Sequence, residues 1–279
     1  MQAEPPPLIA PAPPFGSVIW EKGRQRVVVV ACASEAEPDP SLGPCFDLRL
    51  EGPGSVITTR GGYVAVGLVW KNPGGAPGPD VILRGDPGGS DGCVDTFVAR
   101  FEPRLVVERY QSCHEAGMTP LSTRPDGPDL TLNFDLTMFN GSDAASPGAP
   151  LPLFWNGWRF EIDSLRLRRA AAPVDEAALR SELAAQAPQR GLAYPQNVTL
   201  TEQALMRFIL AGRVEAAQGL LQRVWPMSGP YAGDESREAF FSDLCAAMLH
   251  APLWRRFDMD RMDFAPKVRA AAMKRAAPF

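Results

Sequence analysis

Histidine is nearly missing from this chain: its 279 residues hold two, His114 and His250. Two histidines so far apart leave little material for a Ser-His-Asp triad or a His-rich zinc site, so neither chemistry is expected. Long apolar runs are also missing. None approaches the roughly 20 residues that a membrane-spanning helix needs, and no membrane span is expected. Basic excess is absent too, because 28 Lys and Arg face 32 Asp and Glu for a formal charge of −4. That balance argues against a surface broadly committed to phosphate neutralisation, and nucleic acid is not an expected partner. The opening stretch "MQAEPPPLIAPAPPF" lacks the charged and apolar regions of a signal peptide, so none is expected there. Its Pro and Ala content predicts instead an extended arm over residues 1–14.

What the chain does hold is β-rich sequence cut by Gly and Pro, of which there are 25 and 29. From Ser17 to Arg169 the stretches "SVIW", "RVVVVACA", "CFDLRL", "YVAVGLVW", "DVILRG", "CVDTFVARF", "RLVVERYQSC", "DLTLNFDLTMF" and "WRFEIDSLRL" read as strands. Leu130, Leu132, Phe134, Leu136 and Met138 share one parity and Thr131, Asn133, Asp135 and Thr137 the other, which predicts one buried and one wet face. In the last stretch the apolar parity switches between Ile162 and Leu165, which reads as a bulge at Asp163 and Ser164. The pattern predicts an antiparallel β-sandwich or jelly-roll-like domain over residues 15–170.

After Ala170 the composition turns Ala-rich and the apolar period becomes helical. A linker with a short helix is expected over 171–198 and a small helical domain over 199–279, so the fold class is mainly β with a C-terminal α region. Thr199 stands three residues before Glu202, the spacing of a capping box. Phe240, Phe241, Leu244, Cys245, Met248 and Leu249 repeat at helical spacing, which places Cys245 in a core stripe. The stretch "ALMRFILAGRVEAAQGLLQRVWP" resembles a tetratricopeptide-type helical hairpin over about 23 residues. It has no second copy at the expected period, so the resemblance implies a helix pair and no stacked binding groove.

Four of the five cysteines suggest two staples. If Glu102, Pro103 and Arg104 form a hairpin loop, Phe101 faces Leu105, Phe97 faces Arg109 and Cys93 faces Cys113, within disulfide reach. Cys32 and Cys45 flank a Pro-rich loop and form the second expected pair. Paired cysteines point to an oxidising compartment, periplasmic or secreted. His114 adjoins Cys113, but neighbouring strand residues point to opposite faces, which is poor geometry for a nucleophile and its base.

The remaining motifs are short. Asp86, Asp91 and Asp95 lack EF-hand spacing and read as part of a Gly-rich turn, so no metal or other cofactor is expected. Arg84, Gly85 and Asp86 spell an adhesive tripeptide of little specificity. "NGS" at 140 and "NVT" at 197 fit the glycosylation pattern. Arg166, Arg168 and Arg169 form a basic run that suits either a solvated face or an anion grip. The strongest binding feature is "LPLFWNGWRFEIDSLRL", whose end resembles the last strand of jelly-roll carbohydrate-binding modules over about 14 residues. Trp155 and Trp158 would offer flat faces to a ligand, with Asn156 and Arg159 as polar contacts. The sequence thus predicts a non-catalytic extracytoplasmic binding protein, its partner a glycan or a protein surface. The alternative is a carboxylate-dependent hydrolase such as a glycosidase.

Overall fold

The computed structural model describes residues 13–32, 44–74, 78–88, 93–113, 122–124, 127–136, 139, 146–169, 173–187 and 192–275. Most of the expected N-terminal arm, Asp91, His114, Met138 and the Asn140 sequon lie outside the described residues. The protein is mainly antiparallel β, with its helices mostly in the C-terminal half, as the sequence predicts. It divides into two compact units, Met1–Leu132 with Leu153–Glu161, and Asn133–Pro152 with Ile162–Phe279.

Strands β1 (Val18–Lys22), β2 (Gln25–Ala31), β3 (Phe46–Gly52) and β4 (Ser55–Thr58) form one sheet in chain order. A second sheet holds β5 (Ala65–Lys71), β6 (Val81–Asp86), β7 (Val94–Arg100) and β8 (Val106–Ser112), also in chain order. Alternation builds the core between them. Val27 and Val29 stand opposite Leu50 and Leu48 in the first sheet, and Val81 and Leu83 opposite Ala99 and Phe97 in the second. These side chains share one buried cluster with Phe46, Tyr63, Val66, Phe101 and Leu105, so the two inner faces interdigitate as a sandwich. The other face of the second sheet is interior as well: Ile82, Thr96, Val98 and Tyr110 are all buried. Each sheet is a meander, so of the two expected architectures the sandwich describes it.

The third sheet runs β9 (Ser122–Arg124), β10 (Gly127–Asp135), β11 (Gly148–Trp155) and β12 (Phe160–Ile162), again in chain order. Two expectations are corrected here. Leu130, Leu132, Phe134 and Leu136 are buried as predicted, but Thr131, Asn133 and Asp135 on the other parity are buried too, so that face of β10 is not wet. The parity switch after Ile162 is not a bulge: it is the start of helix α1 (Ser164–Arg169). Asp163 accepts the Arg166 N–H at 3.0 Å through its side chain and the Leu167 N–H at 2.9 Å through its carbonyl, so the acid that looked like a strand irregularity begins a helix.

The second unit carries α2 (Glu176–Ala184), α3 (Thr199–Leu210), α4 (Val214–Val224), α5 (Asp234–His250), α6 (Pro252–Arg256) and α7 (Ala265–Ala272). Asp175 caps α2 by accepting the Ala177 and Ala178 N–H groups at 3.0 and 3.1 Å. The expected capping box of Thr199 and Glu202 is not how α3 begins. Glu182 of α2 accepts the Leu200 and Thr201 N–H groups, both at 2.9 Å, while Glu202 is buried in the helix. Gly212, at φ +77°, turns α3 into α4, the helix pair that the resemblance implies. Cys245 is a fully buried free thiol in α5, and burial pushes its pKa up to about 12.

Candidate functional site

The two sandwich sheets each start at an edge, and those two edges frame a groove. In a meander the first strand pairs on one side alone, so β1 and β5 each have a single strand neighbour among the described residues. Between them lies a groove of about 640 Å3, lined by all of β1 and by Leu68, Lys71, Asn72, Pro73, Gly74 and Asp80. Its apolar side comes from Ile19, Trp20 and Leu68, which pack on the sandwich core while remaining partly exposed. One face of Trp20 stacks on Phe101 with ring centroids 4.8 Å apart.

Both edge strands are irregular. The β1–β2 register slips between Val18 and Trp20, and the β5–β6 register between Leu68 and Trp70. Such bulges end regular pairing along an exposed edge and leave a short regular stretch beyond them. In β1 that stretch is Trp20↔Val27, Glu21↔Arg26 and Lys22↔Gln25.

The polar end of the groove is held by Asp80. One of its oxygens accepts the Phe101 N–H at 2.8 Å and the other faces the Lys22 ammonium at 3.8 Å. The Asn72 amide donates to the Pro79 carbonyl at 3.3 Å and its oxygen accepts the Gly74 N–H at 2.9 Å, which fixes the turn after β5. Glu21 and Lys71 complete the lining with one charge of each sign. An apolar floor, fixed amide and carboxylate groups and balanced charge are the components of a binding surface.

The sequence-predicted site is split by burial. Trp155 ends β11 as the last member of the row Ala149, Leu151, Leu153 and Trp155; it is 7% exposed and packs edge-on against Phe160 at 5.3 Å. Its expected role as a flat contact face is therefore corrected to a core role. Trp158 is 69% exposed, with the Arg100 guanidinium 4.8 Å from its ring centre. Between them Asn156 is spent on the turn: its Oδ1 accepts the Trp158 and Arg159 N–H groups, both at 2.9 Å, and Gly157 takes φ +100°. Arg159 faces Glu161 through Nε and Nη2 at 3.3 and 3.2 Å.

Both expected cysteine pairs are disulfides, Cys32–Cys45 and Cys93–Cys113. The β7–β8 register places Phe97 opposite Arg109 and Ala99 opposite Val107, the pairing that aligns Cys93 with Cys113. Asp95 is committed inside the sandwich: its Oδ2 accepts the Tyr63 hydroxyl at 2.6 Å and meets Arg109 Nη2 at 2.7 Å. Burial, then the bond to Asp95, pushes the Tyr63 pKa well above that of an ordinary phenol; the same carboxylate raises that of Arg109. Asp86 accepts the Gly88 N–H at 2.7 Å, as in the expected Gly-rich turn. Arg84 is 2% exposed inside β6, so the tripeptide Arg84–Asp86 is strand interior rather than an adhesive loop. In the basic run, Arg168 pairs with Asp263 at 2.9 Å.

Sequence reasoning did not find Trp20, Lys71, Asn72 or Asp80. The signal was their position: Trp20 and Lys71 lie in the first strand of each meander, but nothing local says that the two edges meet across one groove. No helix among the described residues is long and apolar enough to cross a membrane. No family model, curated protein or solved structure matches the chain.

Proposed function

We propose that the protein is a non-catalytic binding module of an oxidising, extracytoplasmic compartment, and that its ligand lies in the groove between β1 and β5. The groove itself carries this reading: the β1 edge of one sheet and the β5 edge of the other flank a concave surface with an aromatic wall and fixed polar groups. Two disulfides suit a periplasmic or secreted setting. The hydrolase alternative would need a pair of carboxylates free to act. Two acids line the groove, Glu21 and Asp80, and Asp80 already serves Phe101 and Lys22.

Trp158 and its stacked Arg100 form a second exposed feature, which the same experiment assesses. Immobilised wild type, Glu21→Ala/Lys71→Ala and Trp158→Ala are exposed to a glycan array and to a displayed peptide library. Retention that falls at least tenfold in the groove variant, with an unchanged melting temperature, is the expected result. A loss confined to Trp158→Ala would move the site to that patch, and no retention from either library would overturn the reading.

A further inference from the structure

We infer that the groove takes an extended polypeptide segment, which adds as a strand to one of its walls. This rests on the groove being the binding site and specifies what it binds. A glycan would use the Trp20 face and the polar side chains alone, whereas a peptide also uses backbone groups that the two walls leave unpaired among the described residues.

Those groups are fixed by register. Gly23 and Arg24 connect β1 to β2 as a two-residue hairpin turn, with Gly23 at φ +63°. Such a turn closes on a hydrogen-bonded pair, here Lys22↔Gln25, and antiparallel pairs alternate in kind. Glu21↔Arg26 is therefore a non-hydrogen-bonded pair, so the Glu21 N–H and C=O point away from β2 and out of the sheet edge. The β5 wall repeats the arrangement. Asn72 N–H bonds to the Asp80 carbonyl at 2.9 Å, which makes the adjacent pair Lys71↔Val81 the non-hydrogen-bonded one. Lys71 thus turns its backbone N–H and C=O away from β6. Both residues line the groove.

Length and charge fit the same occupant. Five strand residues span about 16 Å at the usual rise, the reach of a short peptide stretch, and the bulges on both walls limit regular pairing to a few residues. Glu21 on one wall and Lys71 on the other favour a segment with a basic side chain across from Glu21 or an acidic one across from Lys71. The balance of signs disfavours a polyanion. Backbone pairing would supply affinity, and the Trp20 and Leu68 surfaces side-chain preference.

The test selects binders from a random heptapeptide library displayed on phage, using the full chain, and measures the recovered peptides as synthetic probes. Glu21→Pro removes the outward N–H without touching a β1–β2 ladder bond, a substitution that an edge strand tolerates. Lys71→Pro does the same on the other wall. Expected is a tenfold or greater loss of affinity in one of the two variants, with melting temperature preserved, and a matching loss when single peptide nitrogens are methylated. The methylated probes keep the test decisive if a proline variant fails to fold. Peptides that bind both variants and the methylated probes equally would overturn strand addition while leaving the groove as the site. Binding of array glycans with no peptide recovered would overturn the peptide occupant alone, and no binding of either class would remove both readings.

Discussion

Trp155 and Trp158 are three residues apart and have opposite fates, because one closes an inward-facing row and the other follows a turn at Gly157. Trp155→Ala should cost about 3–5 kcal/mol, as for a buried aromatic. Trp158→Ala should stay within about 0.5 kcal/mol, as for a surface change. Urea denaturation of the two variants checks both. Tyr63 has a pH signature of its own. Its folded-state pKa is raised, so the stabilisation it contributes is complete below the ordinary phenol value of about 10 and is lost as pH climbs beyond it, where the unfolded chain ionises first. Tyr63→Phe should lose about 1.5–3 kcal/mol near neutral pH, the range for a bond to a charged group. The gap to wild type should narrow between pH 10 and 11.5. A gap that stays constant across that interval would show that the hydroxyl of Tyr63 does not titrate as its surroundings dictate.

Element boundaries show how much of the fold could be read in advance. The β7–β8 register is the one that a Glu102–Arg104 loop sets; a two-residue Pro103-Arg104 turn would shift it by one, and proline's fixed negative φ weighs against that turn. Strand β11 was not recognised, although Leu151, Leu153 and Trp155 alternate plainly, because Pro150 and Pro152 argue against a strand. Without that strand, nothing in the local sequence separates the core Trp155 from the exposed Trp158. The start of α3 was placed correctly but given the wrong cap, since Glu182 is remote in sequence and only the fold brings it to the helix end. That contact is testable. Glu182→Ala removes the acceptor for two backbone N–H groups and for the Thr201 hydroxyl, and should cost about 0.5–2 kcal/mol. Thr199→Ala should cost less, because Val198 rather than Thr199 holds the N-cap position. Equal losses would restore the capping box.

At the scale of the whole molecule, the sequence predicts a change of character near residue 170, and the compact units divide the chain differently. The unit that holds the helices also includes Asn133–Pro152 and α1, all of which precede that point. A single cut between residues 170 and 175 would therefore sever the chain inside this unit rather than between two bodies. Its two parts are joined by polar contacts at the surface, where the Arg213 guanidinium donates to the Arg168 carbonyl at 3.2 Å and Arg168 meets Asp263. Limited proteolysis at the "RRAAAPVDE" segment should accordingly give two bands under denaturing conditions but one particle in native size exclusion. Urea should then separate the fragments at a lower concentration than unfolds the intact chain, because a cut chain no longer tethers its parts. Two separate native peaks would show instead that the strands and helices on either side of residue 170 fold as independent domains, the organisation that composition alone suggests.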